Sequence, residues 1–202
     1  MSQKINLKDY GANNELILDT PDDRIQNCKI IFNGDNHSII IGKNVKLIDI
    51  TIKVEGNSNI VKIGDWSRVK GVITLGGEHQ IIDIGKDCHL GDADLNAQEN
   101  TSITIGEDAL ISYDVSIRTT DSHSIIDRKT GERINHAKSI HIGRHVWLGT
   151  QVLVSKGVNI ADNVIVGAKS LVVKSIEESY VCVGGVPAKI IKRDVDFDKK
   201  RL

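Results

Sequence analysis

Large rings are nearly missing from this chain. Of its 202 residues only 3% are aromatic, and there are two prolines and one methionine. A broad globular interior usually draws on aromatic bulk, whereas a narrow one can be filled by Ile, Val and Leu alone. Charge of one sign is missing too: 26 Lys and Arg stand against 27 Asp and Glu, for a net charge of −1. With no long basic run either, nothing draws the chain toward nucleic acid. No apolar run approaches the length of a membrane span, and Met-Ser-Gln-Lys does not lead into a signal peptide, so a cytoplasmic protein is expected. The three cysteines, Cys28, Cys88 and Cys182, form no CxxC pair and leave one odd, which reads as reduced cytosolic thiols.

What is abundant is repetition. Between Ile142 and Ile176 the chain reads in sixes as IGRHVW, LGTQVL, VSKGVN, IADNVI, VGAKSL, VVKSI. Ile142, Leu148, Val154, Ile160, Val166 and Val172 open the units, and the next position is mostly small (Gly143, Gly149, Ser155, Ala161, Gly167). Four after each opener stands Val146, Val152, Val158, Val164, Ser170 or Ile176. A short fixed period means stacked units that cannot bury their apolar side chains singly. Six residues suit one short β-segment and a corner, with three such sides closing a coil of about eighteen residues. The openers and their partners point inward, and the small residue relieves crowding at the turn. A β-sandwich would instead show turn signals at wider spacing.

Residues 1–30 lack the period and read as a cap or an irregular first turn. From there Ile-Gly recurs at 41, 63, 84 and 105, so coils spanning 31–176 carry three or four extra residues each in the N-terminal half. The extras, NGDNHS, EGNSN, GGEHQ and QENTS, are polar turn segments expected to stack into a solvated ridge. From Ile105 to Ile142 is 37 residues, more than one coil requires, and the surplus around 120–140 forms a projecting loop. A long excursion from a regular solenoid is more often functional than decorative. Val-Pro ends the repeat, leaving 177–202 as a solvated tail or a short docked helix.

The loop TTDSHSI one coil before VWLG, the hexads, and the closing GGVPAKIIK together resemble the hexapeptide-repeat O-acetyltransferases, especially those acting on capsule, lipopolysaccharide and polysialic acid sugars. The resemblance implies an all-β left-handed parallel β-helix, a homotrimer, and acetyl-CoA lying between neighbouring columns. It implies that His123 is the catalytic base and that Trp147 lies beside the histidine of an adjacent subunit. It places contacts to the coenzyme on Trp147, Gly149, Thr150, Gly167, Ala168 and Lys174, with Lys189 and Lys192 near the nucleotide phosphates.

The residues themselves bear on these roles. A sugar hydroxyl is a poor nucleophile until its proton is removed, and a neutral imidazole can remove it near pH 7. Asp121 or Asp127 is a candidate to orient that ring, although aspartate capping of a loop explains either. Trp147 precedes an opener, so alternation turns it outward, where an indole calls for cover. Outward Leu153, Ile165 and Leu171 form an apolar stripe of the kind that meets another subunit. Small residues at the Gly149–Thr150 and Gly167–Ala168 corners allow close approach to the backbone, and a lysine meets phosphate as a mobile point charge. His136, His141 and His145 raise a zinc reading, but they point to different parts of one coil and no metal is expected. The rivals to O-acetylation of a sugar or polysaccharide acceptor are N-acetylation of an aminosugar nucleotide and a non-catalytic scaffold.

Overall fold

The computed structural model describes residues 5–200, so the first four residues of the expected cap and the last two of the chain lie outside it. Every hexad opener from Ile142 to Val172 is buried to within 1% of full burial, as are Val146, Val152, Val158 and Val164. The interior they build is a single stack of Ile, Val and Leu with Phe32 as its one fully buried aromatic ring.

Around that stack the backbone winds as a three-sided column of parallel strands. One side carries the register Lys46, Arg68, His89, Leu110, Trp147, Ile165, Cys182, each residue paired with the next. The second carries Thr51, Val72, Asp94, Ser116, Leu153, Leu171. The third is a seven-stranded sheet from Glu15–Leu18 to Asn159–Ile160. In the N-terminal half single strands such as Lys46–Asn57 and Arg68–Glu78 bend through the corner between the first two sides. Further on, the corner splits them into short pieces such as Leu110–Ile111 and Val115–Arg118.

Corners need positive φ, and residues at the edges of the column adopt it coil after coil. Asn36, Ser58, His79 and Asn100 do so at one edge with φ between 54° and 59°. Asn and Asp tolerate this conformation best, which is why they crowd the corners of this chain. Gly56 is required for a different reason: at φ 94° an added Cβ would sit 2.0 Å from the carbonyl oxygen of Gly77 in the next coil.

Three expectations change in the structure. Residues 5–30 are not a separate cap, because Ile5–Asp9 pairs in register with Cys28–Phe32 and Glu15–Leu18 with Ser38–Ile41. Backbone hydrogen bonds to the next coil hold this turn in place without the hexad's apolar period. The extra segments are not wholly solvated either: His37, Asn59, Gln80 and Thr101 point inward and are buried. The Asn59 amide N–H donates to His37 Nδ1 at 3.2 Å, and the Gln80 N–H to Asn59 Oδ1 at 2.8 Å, so each side chain serves the coil above. Finally, the end of the chain is neither a free tail nor a helix. Val181–Gly185 adds one more parallel rung and turns back antiparallel through Ala188–Arg193, covering what would be an open edge.

Candidate active site

The loop leaves the second side after Arg118 and returns at Ile140. It is anchored rather than loose. Arg133 grips Glu99 of the coil below with two bonds of 2.7 and 2.9 Å, and the Thr120 hydroxyl donates to the same carboxylate at 2.8 Å. That guanidinium and hydroxyl pull the Glu99 carboxyl down to about 2. Lys156, at the next coil's corner, pairs with Asp121 and donates to the Asn135 carbonyl oxygen at 3.0 Å. The Lys156 ammonium and the Asn135 amide hold the Asp121 carboxyl below its usual range.

Asn135 is buried and bonds both arms of the loop. Its amide donates to the His123 carbonyl oxygen and to Asp121 Oδ2, each at 2.8 Å, and its Oδ1 accepts from the Ile125 N–H at 2.6 Å. The backbone that carries His123 is therefore fixed while its imidazole stays exposed. A cavity of about 310 Å³ opens beside it, lined by Arg118, Asp121, Ser122 and the strand and corner Leu153–Lys156. Neither candidate aspartate meets the imidazole within the chain. Asp121 is taken up by Lys156 and Asn135, and Asp127 caps its own turn through the Lys129 and Thr130 N–H groups.

Trp147 stands on the first side, around the corner from the loop. Its indole N–H donates to the Ser112 hydroxyl at 3.2 Å, and the Phe197 ring tilts over it with centroids 5.6 Å apart. Phe197 is brought there by the end of the chain, which folds back along the column. It stacks on His145 at 4.1 Å, Asp196 and Asp108 bond the two nitrogens of that imidazole, and Lys199 reaches Asp108 at 2.6 Å.

Among curated proteins, the polysialic acid O-acetyltransferase of Neisseria meningitidis is 35% identical over 167 residues, which is 83% of this chain and 78% of that protein. The chain belongs to the hexapeptide-repeat O-acetyltransferases. It is accordingly an acyltransferase, and its column is the left-handed parallel β-helix. Two solved structures agree over nearly the whole length. The polysialic acid O-acetyltransferase OatWY superposes with a TM-score of 0.87 at 31% identity, covering 97% of this chain and 92% of that one. The polySia-specific acetyltransferase NeuO does so with 0.86 at 30%, covering 98% and 90%. No protein-family model matches the chain.

In this acetyltransferase the corner residues fall in one column. At Gly149 an added Cβ would lie 2.7 Å from the Ala168 nitrogen, so stacking alone demands glycine there. At Gly167 the nearest atom is the Val183 oxygen at 3.4 Å, an ordinary contact, so the expectation that the corner requires this glycine does not hold. Thr150 is half-buried and Ala168 exposed, and the Thr150 carbonyl oxygen accepts from the Lys169 N–H at 2.8 Å. Lys174, Lys189 and Lys192 are exposed at the C-terminal end, Lys189 and Lys192 on the final hairpin opposite Gly184 and Cys182. His123 and Trp147 are not brought together, since they stand on different sides of the column. His141 lies on the third side against the Thr104 hydroxyl, away from His145 at its corner. Among the described residues no group of three or more His, Cys, Asp or Glu could hold a metal.

Asn135, Lys156, Ser112 and Phe197 were not legible as parts of the site. Lys156, Ser112 and Phe197 act across coils and Asn135 across the aperiodic loop, and no local motif links any of them to the residue it touches. The 18-residue period would have pointed to one of them, since it sets Lys156 one coil above Lys138, where the loop returns to the column.

Proposed function

We propose that the enzyme transfers acetyl from acetyl-CoA to a hydroxyl of a sugar in a bacterial surface polysaccharide, with His123 as general base. The acceptor hydroxyl attacks the thioester carbonyl as its proton passes to the imidazole. The C–S bond then breaks, and the proton returns to the departing thiolate of the coenzyme. Backbone amides beside Trp147 steady the tetrahedral oxyanion. The coenzyme lies along the corner of Gly149, Thr150, Gly167 and Ala168 against Trp147, and Lys174, Lys189 and Lys192 meet its phosphates. Sugar acceptors are named for the relatives, which supports this choice over an amine. The reaction is set in the cytoplasm, where acetyl-CoA is available and three free thiols remain reduced.

One observation carries the reading. His123 is held firmly on one side of the column and Trp147 lies around the corner, so a single chain presents two half-sites. A homotrimer, with the Leu153–Leu171 stripe against a neighbour, joins the histidine of one column to the tryptophan of the next.

His123→Ala should lower turnover by about 10²–10⁴-fold with the fold intact, and light scattering should report three chains per particle. Co-expressed His123→Ala and Trp147→Ala chains should recover activity that each lacks alone. Near-normal turnover of the histidine variant would remove the base. Failure of the mixture to recover would remove the shared site. Alkali lability of the product distinguishes the expected ester from an amide.

A further inference from the structure

The corner that follows each Ile-Gly stacks residues at positive φ into a ladder. Trp66, Asp87, Asp108, His145, Asn163 and Tyr180 adopt φ between 53° and 64° there. The N–H groups of Asp108, His145 and Asn163 donate to the adjoining turn at 2.9 to 3.0 Å, so the main chain fixes the rungs.

The chain end runs down this ladder as a strap. Val195, Phe197 and Lys199 are half-buried while Asp194, Asp196, Asp198 and Lys200 are exposed, the alternation of an extended segment. Among the described residues one main-chain bond ties the strap to the column, from the Val195 N–H to the Tyr180 carbonyl oxygen at 3.1 Å. Side chains do the rest. Asp196 meets His145 at 3.1 Å, the Phe197 ring stacks on that imidazole, and Lys199 donates to Asp108 and to the Asp87 carbonyl oxygen, each at 2.6 Å.

His145 is the centre of this attachment. Its Nδ1 faces the Asp108 carboxylate, and its Nε2 faces Asp196 and, at 3.2 Å, the Phe197 carbonyl oxygen. Every one of these partners is an acceptor. A neutral imidazole has a single N–H and sets its other nitrogen's lone pair against an acceptor, whereas the imidazolium donates on both sides. Of the other charges nearby, Lys199 is paired with Asp108 and Asp87, Glu107 with Lys86 at 3.0 Å, and Arg144 with Asp162 at 3.7 Å. Burial alone would raise the Asp108 carboxyl, but Lys199 and His145 outweigh it and hold it below its usual range.

We propose that Phe197 is a positioning residue of the acetyltransferase, setting the Trp147 indole through a strap that protonated His145 latches to the column. The Phe197 ring and the Ser112 hydroxyl fix the indole from two directions, and the indole, half-buried, keeps part of its surface open. Loss of the proton removes one of the imidazole's bonds, so the latch holds at low pH and weakens as pH rises. The role in turnover rests on the acetyltransfer reading of Trp147; the latch itself does not.

The chain has two tryptophans, so Trp66→Phe leaves Trp147 as the sole emitter. In that background the emission should shift to the red as the pH is raised from about 5 through the histidine range, because the strap leaves the indole. His145→Asn, which suits the corner's positive φ, and Phe197→Ala should both show the shifted emission at every pH. Phe197→Ala should lower turnover about tenfold, since the indole is no longer held in place. Phe197→Tyr should keep the parental rate. In a Trp147→Ala background Phe197→Ala should cost nothing further, because the ring acts through the indole. Circular dichroism should be the same throughout. Emission indifferent to pH and to His145→Asn would overturn the latch. Faster turnover in Phe197→Ala, or the same loss with and without Trp147, would overturn the positioning role, by making the ring an obstruction or a packing residue. Parental turnover of Trp147→Ala would instead defeat the acetyltransfer reading of that indole, and the emission would still decide the latch.

Discussion

Asn135 uses both ends of its amide to hold the two arms of the loop together, and through them the backbone of His123. Asn135→Leu removes four side-chain bonds, the longest from Arg133 Nε at 3.4 Å, from a buried position without adding charge. Displacing a reacting group by an ångström can cost up to about 10²-fold in rate. We expect turnover to fall by roughly that much, with little change in coenzyme affinity and unchanged circular dichroism. Turnover within twofold or so of the parent would reduce Asn135 to a packing residue. His123 was legible because TTDSHSI precedes VWLG by one coil. Asn135 was not, since it sits in an aperiodic stretch twelve residues past the histidine it serves. The aspartates illustrate the reverse error. Asp121 and Asp127 look like partners for an imidazole in sequence, but a cation and a turn claim them first.

At the scale of one coil, the backbone of each turn rests on the next, so a small residue at a corner is a demand made by its neighbour. Gly56→Ala combines φ 94° with a Cβ 2.0 Å from the Gly77 oxygen. Strain of about 1–3 kcal/mol from the conformation alone, with the clash added, should lower the melting temperature by roughly 5 °C or more. Gly91→Ala is the control, since its Cβ would meet nothing nearer than 3.4 Å. A melting curve for Gly56→Ala that overlays that of Gly91→Ala would refute the stacking argument. The openers and their partners four on were legible to the residue, because inward position repeats with the strand and corner. The N-terminal turn was less so: it keeps its register by main-chain bonds and leaves Ile17 and Leu18 exposed, which blurs the apolar pattern.

Across the whole molecule the inward polar row ties the N-terminal coils to one another, and His37 is its titratable member. Burial lowers its pKa below 6.5, so the unfolded chain takes up this proton before the native one does. Where the unfolded state binds more protons, stability rises with pH. The contribution is therefore complete above 6.5 and declines as pH falls through the window between the unfolded and native values. Urea unfolding at pH 7 and below should show this decline, and His37→Asn should flatten it. An identical pH slope in that variant would assign the acid sensitivity to other groups.

The sequence by itself determined the column, its three-sided coils, the loop and the histidine on it, because a period of six is a local property that each unit repeats. Only the tertiary structure decided that His123 and Trp147 face different sides, that Phe197 returns to cover the indole, and that Lys199 reaches Asp87. Those relations join residues tens to more than a hundred positions apart. They depend on the rung at which each coil passes and on where the chain end folds back, and neither is written in any one repeat.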